Sequence, residues 1–127
     1  MQILIDSSVW IDYFRSGTHT SKLDSYIDQN LVCTNHLILA ELIPFLKVKK
    51  QFKVIKLLES LTNITLNINW DNIINLQFTC IQKGINKVGI PDLIILDNVI
   101  HNGLVLYTLD KHFKQINKHI SFKMIGV

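Results

Sequence analysis

The first apolar block of the chain is short and unbroken: Ile3-Leu4-Ile5 shows no polar alternation and ends at Asp6, followed by Ser7 and Ser8. Such a run suits a strand covered on both faces, which puts it at the centre of a parallel sheet with Asp6 at its carboxyl end. Val9 to Phe14 reads as a short helix that stops before Gly17. Leu23, Tyr26 and Ile27 recur at helical spacing in a second helix from Ser21 to Asn30, with Ser21 and Asp24 as a capping pair. Leu31 to Thr34 is a second strand, and Asn35 caps a long helix from His36 to about Lys47, where Pro44 is placed to bend it. A further helix runs through Phe52, Ile55, Leu58 and Leu61.

Ile64 to Leu66 alternates weakly and is expected to form the third strand, before a helix from Asp71 to about Lys83 that carries Ile74, Phe78 and Ile81. Gly84 and Gly89 bracket a loop. Pro91 suits a helix start, and the helix from Asp92 to Asn102 is expected to stop at Gly103 in a left-handed cap. Leu104 to Thr108 repeats the unbroken character of the first strand, and Phe122 to Ile125 forms a short closing strand. Strands alternating with helices imply a parallel sheet with right-handed crossovers and helices on both faces. The expected fold is a three-layer α/β/α sandwich.

Composition narrows the class. The chain has 127 residues, 48% of them apolar and 18% charged, with two prolines and five glycines. That suits a single globular domain over residues 1–127 and argues against disorder. No apolar run approaches the roughly 18 residues that a membrane helix needs, and the amino terminus has no basic region leading into a long apolar stretch. The expectation is a cytoplasmic protein with no membrane partner. Cys33 and Cys80 stand far apart in apolar patterns and read as reduced, buried small hydrophobes. The net charge of +3 is unevenly spread: Lys47, Lys49, Lys50, Lys53 and Lys56 follow one another with no acid between Glu41 and Glu59. A polyanion can use such a stretch, and a solvated helix face is the plainer reading.

Four of the ten acidic residues stand where a charge is expensive. Asp6 closes a buried strand. Glu41 lies mid-helix among Leu37, Ile38, Pro44 and Phe45; Asp92 opens a helix and precedes Leu93 to Leu96; Asp110 follows the second buried strand. An unpaired carboxylate in a low dielectric costs several kcal/mol. Either each finds its own local partner, capping among them, or the four converge on a shared cation. Hard oxygen donors without a Cys or His cluster favour Mg²⁺ or Mn²⁺ over zinc.

The segments Ile5 to Phe14, Ala40-Glu41-Leu42, Ile90 to Ile95 and Tyr107 to Phe113 together resemble a PIN-domain ribonuclease, and more narrowly a VapC-type toxin of bacterial type II toxin–antitoxin systems. The resemblance spans the whole chain and implies that Asp6, Glu41, Asp92 and Asp110 are the family's acidic positions. It further implies an Mg²⁺-dependent endoribonuclease, an RNA substrate, a homodimer and a cognate antitoxin whose tail enters or covers the acidic groove. Ser8 and Thr108 resemble hydroxyls that the family sets beside its carboxylates; helix and turn capping is their other use. Two positions depart from the pattern. Asp97 replaces a small residue and is read as facing outward, an extra carboxylate near the site being the alternative, and His112 stands where many members carry an acid and is read as a surface histidine, with orientation of a carboxylate or contact with substrate as its other uses.

Asp6 and Asp92 are then the principal metal ligands, Asp110 a further one, and Glu41 a ligand through water or the proton acceptor. Lys49, Lys50 and Lys53 are candidate contacts for RNA phosphates. Trp10, Tyr13 and Phe14 read as core or dimer interface rather than base-stacking platforms, and His19, His36, His101 and His119 form no ligand spacing. A phosphotransfer receiver or an aspartate-based phosphatase fits poorly, since Ile64 to Leu66 ends in no Asp and Asp6-Ser7-Ser8 lacks a second carboxylate. The alternative from another class is a non-catalytic module that binds a partner protein or RNA.

Overall fold

In a computed structural model, which describes residues 1–126, the two unbroken apolar runs lie side by side at the middle of a five-stranded, all-parallel sheet. The strands are β1 (Ile3–Ile5), β2 (Val32–Thr34), β3 (Thr62–Asn63), β4 (Val105–Thr108) and β5 (Lys123–Gly126), in the spatial order β3-β2-β1-β4-β5. Ile3, Leu4 and Ile5 have no exposed surface, as expected for a strand sandwiched between two helical layers.

Seven helices connect them: α1 (Ser7–Arg15), α2 (Lys22–Asp28), α3 (His36–Val48), α4 (Phe52–Ser60), α5 (Trp70–Gln82), α6 (Ile90–His101) and α7 (Lys111–Asn117). The chain winds outward from β1 to β3, crosses back to β4 through α5 and α6, and ends at β5. Right-handed crossovers therefore put α1 to α4 on one face and α5 to α7 on the other, giving the three-layer sandwich. The winding direction reverses between β1 and β4. In open α/β sheets that reversal leaves a crevice at the carboxyl ends of the strands, where connections diverge to opposite faces.

Local chemistry explains most boundaries. Asn35 sits in extended conformation and its side-chain oxygen accepts the Ile38 N–H, capping α3 as expected. Gly89 caps α6, Pro91 occupies its first turn, and Gly103 follows it at a φ of 60°. Gly126 lies in register with Thr108 at a φ of 122°, and a Cβ there would run into the Thr108 carbonyl oxygen. Glycine is thus what lets β5 press close to the end of β4.

The structure corrects several expectations. Ile64 to Leu66 is not a strand; β3 is the pair Thr62–Asn63, fixed by pairing with Cys33 and Thr34, and the Ile64 N–H donates to the Thr34 carbonyl at 2.8 Å. Helix α7 was not expected. Ser21 precedes α2 in helical conformation with no side-chain cap, while Asp24 accepts the Tyr13 hydroxyl instead. Trp10 is fully buried, stacked on Phe14 at 5.6 Å between centroids and edge-on to Tyr13, which confirms the core reading. Cys33 and Cys80 are free and buried, and burial pushes the Cys33 thiol up to about 12.

Because β1 is closed in on both faces, Leu4→Ala should cost roughly 2–5 kcal/mol in urea unfolding, while Leu57→Ala on the outer face of α4 should stay within about 0.5 kcal/mol. Equal losses for both would contradict the placement of the core.

Candidate active site

Four elements bring the four acids to one edge. Asp6 follows β1, Asp110 follows β4 across the β1/β4 crevice, and α3, which begins just after β2, carries Glu41. Helix α6 runs back toward β4, so its amino terminus and Asp92 lie at the same edge. The charges of these groups act on one another: Asp6 feels Asp110, Glu41 feels Asp6 and Asp92, and Asp92 feels Asp110 and Asp6.

Asp6 is the most constrained of the four. It occupies the N-cap position of α1, and its backbone carbonyl accepts the Val9 and Trp10 N–H groups, yet its side chain makes no cap bond. Its Oδ2 instead accepts the Ser8 and Thr108 hydroxyls, each at 2.8 Å. Each hydroxyl has one proton to give. The Leu109 N–H donates to Ser8 Oγ at 3.1 Å and the Asp110 N–H to Thr108 Oγ1 at 3.0 Å, which occupies lone pairs and leaves both O–H groups aimed at Asp6. The carboxylate is held on one side, with Oδ1 clear of these bonds. Ser8 and Thr108 thus hold a carboxylate, and Thr108 also caps the turn into Asp110 by accepting its N–H.

Asp110 does cap. Its Oδ1 accepts the His112 N–H at 2.9 Å and lies 3.0 Å from His112 Nδ1, so His112 is a carboxylate-orienting group and not a free surface histidine. Asp92 sits in the first turn of α6, where the helix dipole favours an anion, and its Oδ2 accepts the Gly89 N–H at 3.3 Å. Glu41 is exposed and has no side-chain hydrogen bond among the described residues, although it was expected to project from an apolar face.

Asp97 was expected to face outward, and it does not. It is buried on α6, and its Oδ1 accepts from the Asn72 side chain of α5 at 3.3 Å, away from the acidic group. Asn35 and Asn98 form a link that the sequence did not reveal. The Asn35 amide donates to Asn98 Oδ1 at 3.1 Å and the Asn98 amide to the Thr65 carbonyl at 3.2 Å, tying the start of α3 to α6. The two helices that carry Glu41 and Asp92 are thereby fixed to each other. Of the lysines, Lys49 reaches over the Phe45 ring, 5.8 Å from its centroid, and none of Lys49, Lys50 and Lys53 pairs with a carboxylate among the described residues.

Burial holds the Asp6 carboxyl above the usual carboxylate range; the Ser8 and Thr108 hydroxyls and the Ser7 amide oppose this, and the Asp110 charge adds to it. Loss of solvation also raises Glu41, with Asp6 and Asp92 adding. Burial raises Asp92, the Gly89 amide opposes, Asp110 and Asp6 add, and His112 opposes. Among the described residues no three Asp, Glu, His or Cys side chains stand close enough to hold an ion by themselves. The donor set is hard and anionic but open, which fits a hydrated Mg²⁺ that touches one or two carboxylates and keeps several waters.

A carboxyl raised in the folded state binds its proton more tightly there than in the unfolded chain. Stability then falls as pH rises from the ordinary values, 3.8 for Asp and 4.5 for Glu, through the raised ones. Asp6→Asn removes the share of Asp6, so in EDTA the melting temperature of the variant should gain on wild type as pH rises from about 4 to about 7. A difference that does not change with pH would contradict a strained Asp6.

The family model for the PIN domain matches residues 3–119. Among solved structures the chain is similar to the DNA-bound VapBC of Salmonella typhimurium, with a TM-score of 0.78, 16% identity and coverage of 98% of this chain and 97% of that one. It is similar to VapBC-1 of nontypeable Haemophilus influenzae, with a TM-score of 0.76, 19% identity and coverage of 99% and 98%. It is also similar to VapC20 of Mycobacterium tuberculosis, a sarcin-ricin loop cleaving toxin, with a TM-score of 0.59, 13% identity and coverage of 90% and 94%. No curated protein matches at the sequence level. The structural likenesses establish the fold, and the match over residues 3–119 shows that the chain belongs to the PIN domain family.

Proposed function

We propose that this chain is a metal-dependent endoribonuclease, the toxin of a type II toxin–antitoxin pair, built as one PIN-type domain. The observation that carries the reading is Asp6, a buried carboxylate at the β1/β4 crevice, held through one oxygen by Ser8 and Thr108 and charge-coupled to the acids around it. Structure built to retain a repulsive carboxylate is expensive and suits a cation. Asp6 and Asp92 would hold Mg²⁺ or Mn²⁺, with Asp110 a further ligand. The ion would supply the positive charge that acidifies a water and offsets charge developing on the phosphate. Glu41, exposed and raised toward neutrality, is suited to take the proton of the attacking water. His112 holds Asp110 in place and offsets part of the charge at Asp92.

The solved relatives include VapBC complexes, and two apolar surfaces support partners here. A groove of about 430 Å³ between α1, α3 and α4 is lined by Ile11, Phe14, Leu42, Phe45 and Val54, with Arg15 and Lys49 also in its wall. It fits an apolar antitoxin segment with acidic flanks. On α5, Trp70, Ile74, Phe78 and Ile81 lie along one stripe and are 57%, 62%, 62% and 68% exposed. The only charged residue of α5 is Asp71, so a second copy meets this stripe without repulsion, which supports a homodimer. Lys50 and Lys53 keep exposed side chains for RNA phosphates, whereas Lys49 is engaged at the groove.

Purified protein incubated with total RNA should generate new ends in Mg²⁺ and none in EDTA, and Asp6→Asn or Asp92→Asn should reduce cleavage at least about a hundredfold while the fold persists. Stable binding of RNA or a partner without cleavage under any divalent ion would instead establish the non-catalytic reading.

Phe78→Asp should convert a dimer to a monomer in sedimentation. An unchanged dimer would place the interface elsewhere.

A further inference from the structure

We propose that an open pocket beside the acidic group is a phosphate-binding subsite for the RNA chain, formed by Lys22, Lys111 and His19; the proposal rests on the ribonuclease reading and adds to it the track of the substrate. The pocket, about 690 Å³, lies where the loop before α2, the end of β4 and the end of β5 meet. Lys22 comes from the start of α2, Lys111 from the start of α7 and His19 from the loop between α1 and α2, while Ser21 adds a hydroxyl donor. Among the described residues no carboxylate lines it. Both ammonium groups are outside any ion pair among the described residues, so they stand ready for an external anion. Leu109 and Ile125 form an apolar floor on which a ribose or base can rest.

The walls are fixed before any ligand arrives. Asp12 Oδ2 accepts the His19 N–H at 3.3 Å and the hydroxyl of the fully buried Thr20 at 2.9 Å, and the buried Tyr107 hydroxyl donates to the His19 carbonyl at 3.5 Å. A preformed wall loses little entropy on binding, which a lysine on a loose loop would have to overcome.

Position gives the pocket its use. Leu109 in its wall lies between Thr108, which donates to Asp6, and Asp110. Leu109 is the chain neighbour of both, one peptide unit or about 3.8 Å between Cα atoms from each, so the pocket adjoins the acidic group. Clustered carboxylates repel a polyanion, and a strand crossing them needs cations close by. Lys49, by contrast, lies eight residues beyond Glu41, about 12 Å further along the helix axis, and is turned to Phe45. Lysine contacts to phosphate fix the register of the strand without reading its sequence.

The test is the affinity of a short fluorescent oligouridylate in Ca²⁺, measured against salt, for wild type and Lys22→Gln/Lys111→Gln. Both side chains are exposed, and matched melting curves would confirm that the fold is kept. The slope of log affinity against log salt should become shallower by roughly 0.7 for each phosphate that is no longer neutralised, about 1.4 for both, and Lys22→Arg/Lys111→Arg should restore it. Superimposable lines, with wild type still binding and cleaving RNA in Mg²⁺, would overturn the subsite and leave the ribonuclease reading intact. Wild type that neither binds nor cleaves would overturn both.

Discussion

The fold gathers four carboxylates at one crevice around a buried one, Asp6, and much of its local structure follows from having to hold that charge. Asp6 ends a strand with no exposed surface, beside a neighbouring strand whose tip leads to Asp110. Left alone, such carboxylates would protonate or drive the crevice open. Two hydroxyls from elements about a hundred residues apart in sequence converge on one oxygen of Asp6, and backbone N–H groups lock those hydroxyls in turn. The arrangement limits the rise in the Asp6 pKa without cancelling it. What is left is residual negative potential directed at the crevice.

The acids come from four elements, so their spacing depends on how those elements are tied together. Asn35 and Asn98 join α3 to α6 deep in the molecule, and both are fully partnered through Ile38, Thr65 and each other. A satisfied buried polar link of this kind fixes geometry in a way that apolar contact alone does not. On the other side, Asp12 ties the loop carrying His19 to α1. The acidic group is thus flanked by rigid walls, one carrying Asp92 and the other carrying cations.

Much of this was legible in the residues. The runs Ile3 to Ile5 and Leu104 to Thr108 identify the central strands because only a doubly covered strand omits polar alternation. Asn35, Pro91 and Gly103 mark helix ends by local chemistry that tertiary contacts do not override. The errors share a cause. Thr62 and Asn63 are exposed and carry no apolar signal, so β3 is defined by pairing with β2 and not by pattern. Helix α7 spans seven residues and buries only Phe113 and Ile116, too few for a periodicity to show. Asp97 is buried beside Asn72, a partner on another helix, and His112 is drawn to Asp110 by a contact that spacing alone left as one of three uses. The four acids were picked out by setting and by family resemblance together, and their mutual charge is the structural counterpart of that reading.

The central claim is that the carboxylates form one site for a divalent cation, and binding of that cation to the folded state must then stabilise it. The direct measurement is thermal melting across an Mg²⁺ titration, run in parallel on wild type and on Asp6→Asn/Asp92→Asn. The account predicts a wild-type melting temperature that climbs with Mg²⁺ from a low starting value, and a double variant that starts higher and stays flat. Wild type and variant responding alike to Mg²⁺, or neither responding, would contradict it.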